Sequence, residues 1–142
     1  MYSFVFITHG ELGSTLLNIA SRIMDIDVKE RTAFFSIEFS MVTELDSMKT
    51  NLESTIDSFI KQGHKVLILV DIFGGSPSNI ALSLAKKEEV DVISGVNLSM
   101  VMYSLEHMDD DSDIRTMVDG IIRSSRQNIT GAKQLLEKRE SK

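Results

Sequence analysis

With 142 residues, of which 42% are hydrophobic and 25% charged, the chain is the right size for one soluble domain with a single core. It contains no cysteine, which excludes disulfides, thiolate metal sites and cysteine nucleophiles, and a formal charge of −6 without a clustered basic face argues against nucleic-acid binding. No apolar run approaches the roughly 20 residues that span a bilayer and the N-terminus lacks signal-peptide features, so we expect a cytoplasmic protein.

Strand-like and helix-like patterns alternate from the start of the chain. The apolar run Tyr2–Ile7 predicts a first strand, followed by a turn at His9 and Gly10. Apolar residues at helical spacing between Leu12 and Ile23 predict a helix, and 32–37 predicts a second strand. The chain therefore opens with a strand, a helix and a strand.

The middle of the chain repeats this alternation. Thr43, with Asp46 three residues later, predicts the start of a long helix that ends near Gly63. A third strand is predicted over Lys65–Val70, and Ser76 and Pro77 predict the cap and first residue of the next helix.

The last third of the chain predicts one more strand and two helices. Residues 90–93 form the strand, Asn97 caps a helix over 98–106, and apolar residues from Ile114 to Ile122 predict the last helix. Continuous apolar strands separated by helices predict a doubly wound α/β fold, in which a mainly parallel sheet is covered on both faces. We expect a single domain over 1–136 and a mobile tail over 137–142.

Two strand ends present a histidine and a carboxylate. His9 follows the first strand and Asp71 follows the third, and reactive groups of open parallel sheets collect at the carboxyl ends of strands. A carboxylate that accepts one ring N–H fixes the tautomer of an imidazole and leaves the other nitrogen as a nucleophile or base. This pair predicts a nucleophilic histidine.

A glycine-rich turn lies beside this pair. Gly74 and Gly75 permit close backbone approach, and the helix that opens at Ser76 and Pro77 presents N–H groups that attract anions, above all phosphate. We therefore expect a histidine that attacks phosphorus beside an oxyanion cradle. Neither a metal nor another cofactor is expected.

Three segments resemble a known family. The stretches 8–10, 71–79 and 94–100, which read THG, DIFGGSPSN and SGVNLSM, resemble the mannose-type IIA component of the bacterial phosphoenolpyruvate-dependent sugar phosphotransferase system. The resemblance runs in matching order from Met1 to about Leu136. It implies a parallel sheet of order 2-1-3-4 in a homodimer that exchanges a C-terminal antiparallel strand.

The resemblance also implies roles for individual residues. The phosphorylated histidine of the family falls on His9, its hydrogen-bonding aspartate on Asp71 and its phosphate-loop serine on Ser76. The protein would then take a phosphoryl group from the phosphocarrier protein HPr and give it to a IIB component, which serves the membrane components IIC and IID. The sequence does not name the sugar.

Two positions depart from the family pattern without touching the phosphoryl chemistry. Phe73 stands where members often carry tryptophan, and Ser99 stands where they often carry proline. We expect Phe73 and Met100 to contribute to an apolar rim that contacts partner proteins.

Other classes of protein compete with this interpretation. A receiver domain needs acidic residues after its first strand, where this chain has Thr8 and His9. A serine hydrolase would place Ser76 in a G-x-S-x-G elbow, which is absent. A flavodoxin-like module that binds a small molecule without phosphotransferase activity is the remaining alternative.

Overall fold

The structure, a computed structural model, describes residues 1–37 and 45–142, apart from the side chain of Ser76. The described strands are β1 (Tyr2–His9), β2 (Thr32–Ile37), β3 (Lys65–Val70) and β4 (Val90–Ser94). The described helices are α1 (Leu12–Met24), α2 (Leu45–Lys61), α3 (Gly75–Leu84), α4 (Leu98–Glu106), α5 (Ile114–Gln127) and α6 (Ala132–Glu140). Thr43, the predicted start of α2, lies outside the described residues.

The four strands form one parallel sheet in the order β2-β1-β3-β4, as expected for a doubly wound fold. The central strands β1 and β3 are almost wholly buried, because helices cover both faces of the sheet. Alternate residues of β1 therefore enter two separate cores. Phe4 and Phe6 pack with α1, α4 and α5, whereas Val5 and Ile7 pack with α2 and α3.

Strand β1 is longer than predicted and ends at His9 itself. Thr8 and His9 remain in register with Ser36 and Ile37 of β2. The backbone N–H of Gly10 then donates to Ile37 O at 3.2 Å, which closes the turn against the edge strand. His9 is thus held in the sheet instead of in a free loop.

Helix α3 begins earlier than the sequence predicts. Gly75 is its first residue and Gly74 its cap, in place of Ser76 at the cap. Gly74 has a φ of 143° and Gly75 a φ of 72°, and glycine adopts such positive values without steric cost. The two glycines therefore make the turn themselves, and Pro77 lies in the first helical turn, where its missing N–H is not needed.

The C-terminal segment differs from the expectation. Residues 132–140 form helix α6, all of whose residues are exposed, in place of the antiparallel strand that the resemblance implied. Alanine, leucine, lysine, glutamine, glutamate and arginine, the residue types of this helix, are all good helix formers. Local propensity therefore favours a helix here, although none of its residues is buried against the described part of the chain.

Candidate active site

His9 and Asp71, which the sequence predicts to act together, are in direct contact. His9 Nδ1 lies 2.8 Å from Asp71 Oδ2, and the backbone N–H of His9 donates to the same oxygen at 2.8 Å. The second carboxylate oxygen, Oδ1, accepts the backbone N–H of Ile72 at 2.8 Å. The side chain of Asp71 is 14% exposed and that of His9 is 38% exposed, so the carboxylate lies behind the ring.

The charge state of Asp71 determines which nitrogen of His9 carries a proton. Burial would raise the pKa of Asp71, but hydrogen bonds from the backbone and ring of His9 and from the Ile72 N–H outweigh burial and lower it. An ionised carboxylate only accepts hydrogen bonds, so His9 Nδ1 is the donor of the pair. In the neutral ring, Nε2 then carries the lone pair.

The start of α1 is attached to the strand that carries His9. Thr8 is buried, and its Oγ1 accepts the backbone N–H of Gly13 at 2.9 Å. A Cβ on Gly13 would lie 2.7 Å from Phe6 Cβ, so only glycine allows α1 to approach β1 this closely. This role of Thr8 is not predictable from the sequence, because its partner is known only once the helix is packed.

A buried serine holds the glycine turn next to Asp71. Ser78 Oγ donates to Ile72 O at 3.1 Å and accepts the N–H of Gly74 at 3.2 Å. The hydroxyl of one helical residue thereby ties both ends of the preceding loop. Sequence reasoning missed Ser78, although it lies within the quoted GGSPSN stretch.

The first turn of α3 faces the same end of the sheet. Its cap, Gly74, has no side chain to occupy the backbone N–H groups that a helix leaves unpaired in its first turn. Such groups, together with the helix dipole, favour an anion. The backbone N–H groups of this first turn therefore suit an anion, and the side chain of Ser76 lies outside the described part of the chain.

The apolar rim differs from its prediction in one respect. Phe73 is 46% exposed and Ile72, beside it, is 63% exposed, so the loop after Asp71 presents two apolar side chains. Met100 is only 4% exposed and belongs to the core. Met100 therefore forms the floor of a small cleft beside Phe73 and not a projecting contact.

The two other histidines lie elsewhere. His64 Nδ1 is 2.8 Å from the hydroxyl of buried Ser3, and burial, with Arg31 and the N-terminal amine, lowers the pKa of His64. His107 ends α4, and its Nδ1 is 2.7 Å from Asp110 Oδ2. His107 thus repeats the imidazole–carboxylate contact of His9, but at the carboxyl end of a helix, which disfavours anions.

No described helix has the length and apolar character required to cross a membrane. Within residues 1–37 and 45–142, no group of three or more histidine, aspartate and glutamate side chains is arranged to hold a metal ion.

Comparison with known proteins identifies the family. A profile described as "PTS system fructose IIA component" matches residues 3–122. The fructose-specific EIIA component of Bacillus subtilis (strain 168) is 35% identical in an alignment of 83 residues that covers 56% of this chain and 54% of that protein. The mannose-specific EIIAB component of Escherichia coli (strain K12) is 34% identical in an alignment of 90 residues that covers 58% of this chain and 28% of that protein. The chain therefore spans about half of the first relative and little more than a quarter of the second.

Solved structures show the same fold. Phosphotransferase system component EIIA from Streptococcus agalactiae superimposes with a TM-score of 0.78 at 23% identity, covering 94% of this chain and 99% of that chain. The mannose/sorbose specific IIA subunit from Enterococcus faecalis gives a TM-score of 0.73 at 17% identity, covering 91% and 92%. With the profile covering most of its length, the chain belongs to the fructose IIA family of the sugar phosphotransferase system.

Proposed function

We propose that the protein is a phosphoryl carrier that accepts a phosphoryl group from phosphorylated HPr on Nε2 of His9 and donates it to a IIB component during sugar uptake. The observation that supports this most directly is the 2.8 Å contact between His9 Nδ1 and Asp71 Oδ2. It supports a proton on Nδ1, which would leave the lone pair of Nε2 as the nucleophile.

The transfer itself exchanges one phosphorus–nitrogen bond for another. The lone pair of His9 Nε2 attacks the phosphorus of the phosphohistidine on HPr, and the bond between that phosphorus and the HPr imidazole breaks. The departing nitrogen keeps the electron pair. The proton on His9 Nδ1 stays in place, and the Asp71 carboxylate stabilises the positive charge that develops on the ring.

The loop after Asp71 complements this charge change. As phosphorus passes between the two nitrogens, its oxygens carry negative charge. Backbone N–H groups in the first turn of α3 could donate hydrogen bonds to these oxygens. Backbone N–H groups of Gly75 and Ser76 are the proposed donors, because the cap residue Gly74 has no side chain that could accept them. The same groups would hold the phosphohistidine until IIB arrives.

The assembly of the protein forms part of the proposal. We propose that it is a cytoplasmic homodimer. It would not contact the membrane components IIC and IID itself, because IIB stands between them in the relay. The exposed apolar residues of the C-terminal segment, Ile129, Leu135 and Leu136, support association through this region. His9 lies outside that surface in the proposed dimer, because HPr and IIB must reach it.

The remaining alternatives are less well supported. A receiver domain would place an acidic cluster opposite Asp71, where this structure places His9. A small-molecule-binding module without transfer activity would have no need of an oriented imidazole. Membership of the IIA family favours the carrier over both.

The chain contains a matched control for the test. The protein is incubated with radiolabelled phosphoenolpyruvate, enzyme I and HPr, and acid-labile phosphate is counted on the wild type, His9→Ala and His107→Ala. His107 has the same Nδ1–carboxylate contact but lies at the end of α4 beside Glu106 and Asp110. We expect full labelling of the wild type and His107→Ala and none of His9→Ala. Labelling that persists in His9→Ala would refute the proposal.

A further inference from the structure

A second concave site lies on the other side of the Phe73 loop from His9. It is a cleft of about 340 Å³ between the carboxyl end of β4, the start of α4 and the last turn of α5. Phe73 forms one wall and Ile122 another, while Met100 and Ile93 belong to its lining from the core side. The cleft is therefore partly apolar and large enough for a compact organic molecule.

Ser125, one of the residues that line this cleft, has a buried and unsatisfied hydroxyl. Ser125 is only 5% exposed, and its Oγ has no hydrogen-bond partner within the described residues. A helical serine commonly donates to the carbonyl four residues earlier, but Ser125 does not make this bond to Ile121. Buried polar side chains are nearly always paired, so an orphan hydroxyl in the wall of a cleft points to a missing ligand group.

The charge of the cleft indicates the nature of that ligand. Among the described residues that line it, Arg126 alone is charged, in a chain with a formal charge of −6. A guanidinium binds carboxylate or phosphate in a bidentate manner. The cleft also contains the start of α4, whose dipole favours an anion, and the polar side chain of Asn97.

The walls are held in place without a ligand. Asn128 Nδ2 donates to Ser99 Oγ at 2.6 Å and to Ser124 O at 3.1 Å, which links the end of α5 to the start of α4. Asn97 Oδ1 accepts the N–H of Met100 at 3.0 Å. The cleft is therefore preformed, as binding sites for small molecules commonly are.

From these features we infer that the cleft binds a small hydroxylated organic anion, either a hydroxycarboxylic acid or the phosphate ester of a sugar or polyol. Arg126 takes the anionic group, Ser125 Oγ exchanges a hydrogen bond with a ligand hydroxyl, and Phe73 and Ile122 contact the carbon skeleton. The site uses neither His9 nor Asp71, so it stands independently of phosphoryl transfer.

The inference is tested by titrating the isotope-labelled full chain with glucose 6-phosphate and with malate, while amide chemical shifts are followed by NMR. Glucose and inorganic phosphate serve as ligand controls. We expect saturable shifts at Gly95, Asn97, Ser125 and Arg126 with at least one of the two anions, at a Kd below about 1 mM. Whether glucose 6-phosphate or malate binds more tightly identifies the phosphate ester or the carboxylate as the natural class.

Variants separate this site from general charge effects. Arg126→Gln and Ser125→Ala should each weaken binding about tenfold or more, because each removes a polar partner of the bound anion. Arg123→Gln, which removes the same charge from a part of α5 outside the cleft, should leave the Kd unchanged.

Four results would overturn the inference. The first is no saturable shift up to about 10 mM of either anion, and the second is shifts confined to the region of His9 and Gly75. The third is an equal loss of affinity in Arg123→Gln and Arg126→Gln. The fourth is equally tight binding of inorganic phosphate, which would show an adventitious ion only.

Discussion

One oxygen of Asp71 holds His9 twice, because Oδ2 lies 2.8 Å from both the ring Nδ1 and the backbone N of that residue. The other oxygen accepts the N–H of Ile72, the next residue along the chain. The carboxylate therefore joins the end of β1 to the loop after β3 and orients the imidazole at the same time. A change at Asp71 should affect the chemistry of His9 more than the packing of the sheet.

Replacing Asp71 with asparagine should slow phosphoryl transfer to and from His9 while keeping the fold. An amide can still occupy the position, but it stabilises neither the developing imidazolium nor one tautomer. The corresponding change in a serine-protease triad costs about 10⁴-fold, which sets the scale of the expected loss. Rapid-quench rates with phosphorylated HPr measure it, and rates within about twofold of the wild type would show that Asp71 does not orient the ring.

Asp71 should also contribute to stability in a pH-dependent manner. Burial opposes its ionisation, but the hydrogen bonds from His9 and Ile72 bring the folded-state pKa below the ordinary 3.8. A carboxyl of this kind stabilises the fold fully above its unfolded-state pKa, and the contribution is lost as the pH falls through the folded-state value. The difference in free energy of unfolding between the wild type and Asp71→Asn should therefore shrink below about pH 3.8.

Urea unfolding between about pH 5 and pH 2.5 measures this difference. The exposed carboxylate Asp119 provides a control through Asp119→Asn. A difference for Asp71→Asn that stays constant over the range would contradict the expectation.

The glycine turn should be more sensitive than the serine next to it. Gly75 has a φ of 72°, a conformation that a β-branched residue adopts only with strain, so Gly75→Val should distort the phosphate-binding backbone. Crowding is not the cause, since an added Cβ would meet only Pro77 Cδ at 3.9 Å. Ser76→Ala keeps every backbone donor and should reduce the rate of phosphate uptake by only a small factor. A larger loss of rate in Ser76→Ala than in Gly75→Val would indicate that the oxyanion site lies elsewhere.

A charge on the apolar rim should weaken partner binding. Phe73→Asp places a carboxylate on a surface residue that is 46% exposed, so we expect a higher apparent KM for IIB and an unchanged circular dichroism spectrum. Leu82→Asp is the matched control, because Leu82 is 47% exposed but lies at the far end of α3. Equal effects of both substitutions would indicate a general effect of charge.

Removal of the C-terminal segment tests the proposed dimer. Truncation after Thr130 deletes α6, which has no residue buried against residues 1–37 or 45–131 and presents Leu135 and Leu136 to solvent. We expect light scattering to give a dimer for the intact chain at micromolar concentration and a monomer for the truncated one. A monomeric intact chain, or a truncated chain that remains fully dimeric, would refute association through α6.

Local patterns predicted most of the fold. Strands β2 and β3 begin and end where the apolar runs do, and α4 begins at the residue after its predicted cap, Asn97, whose side chain accepts the N–H of Met100. Apolar runs and caps carry their information within a few residues, which is why they can be read from one sequence. The pairing of His9 with Asp71 could be foreseen because parallel strands end at one edge of the sheet.

Contacts across elements could not be predicted in this way. The bonds from Ser78 to Ile72 and Gly74 depend on how tightly the loop folds back on α3, and the burial of Met100 depends on the angle at which α4 lies on the sheet. The expected C-terminal strand came from the resemblance alone. The residues that form α6 favour a helix, so the local signal and the family expectation conflicted there.

The close approach of α1 to β1 at Gly13 has a consequence for the kinetics of the relay. With no side chain between helix and strand, and Thr8 bonded across them, the residues before and after His9 have little room to shift. If His9 accepts a phosphoryl group as proposed, its alignment with the donor would then depend mainly on how the incoming protein is oriented. At a formal charge of −6, the frequency of these encounters with a basic partner should rise as ionic strength falls.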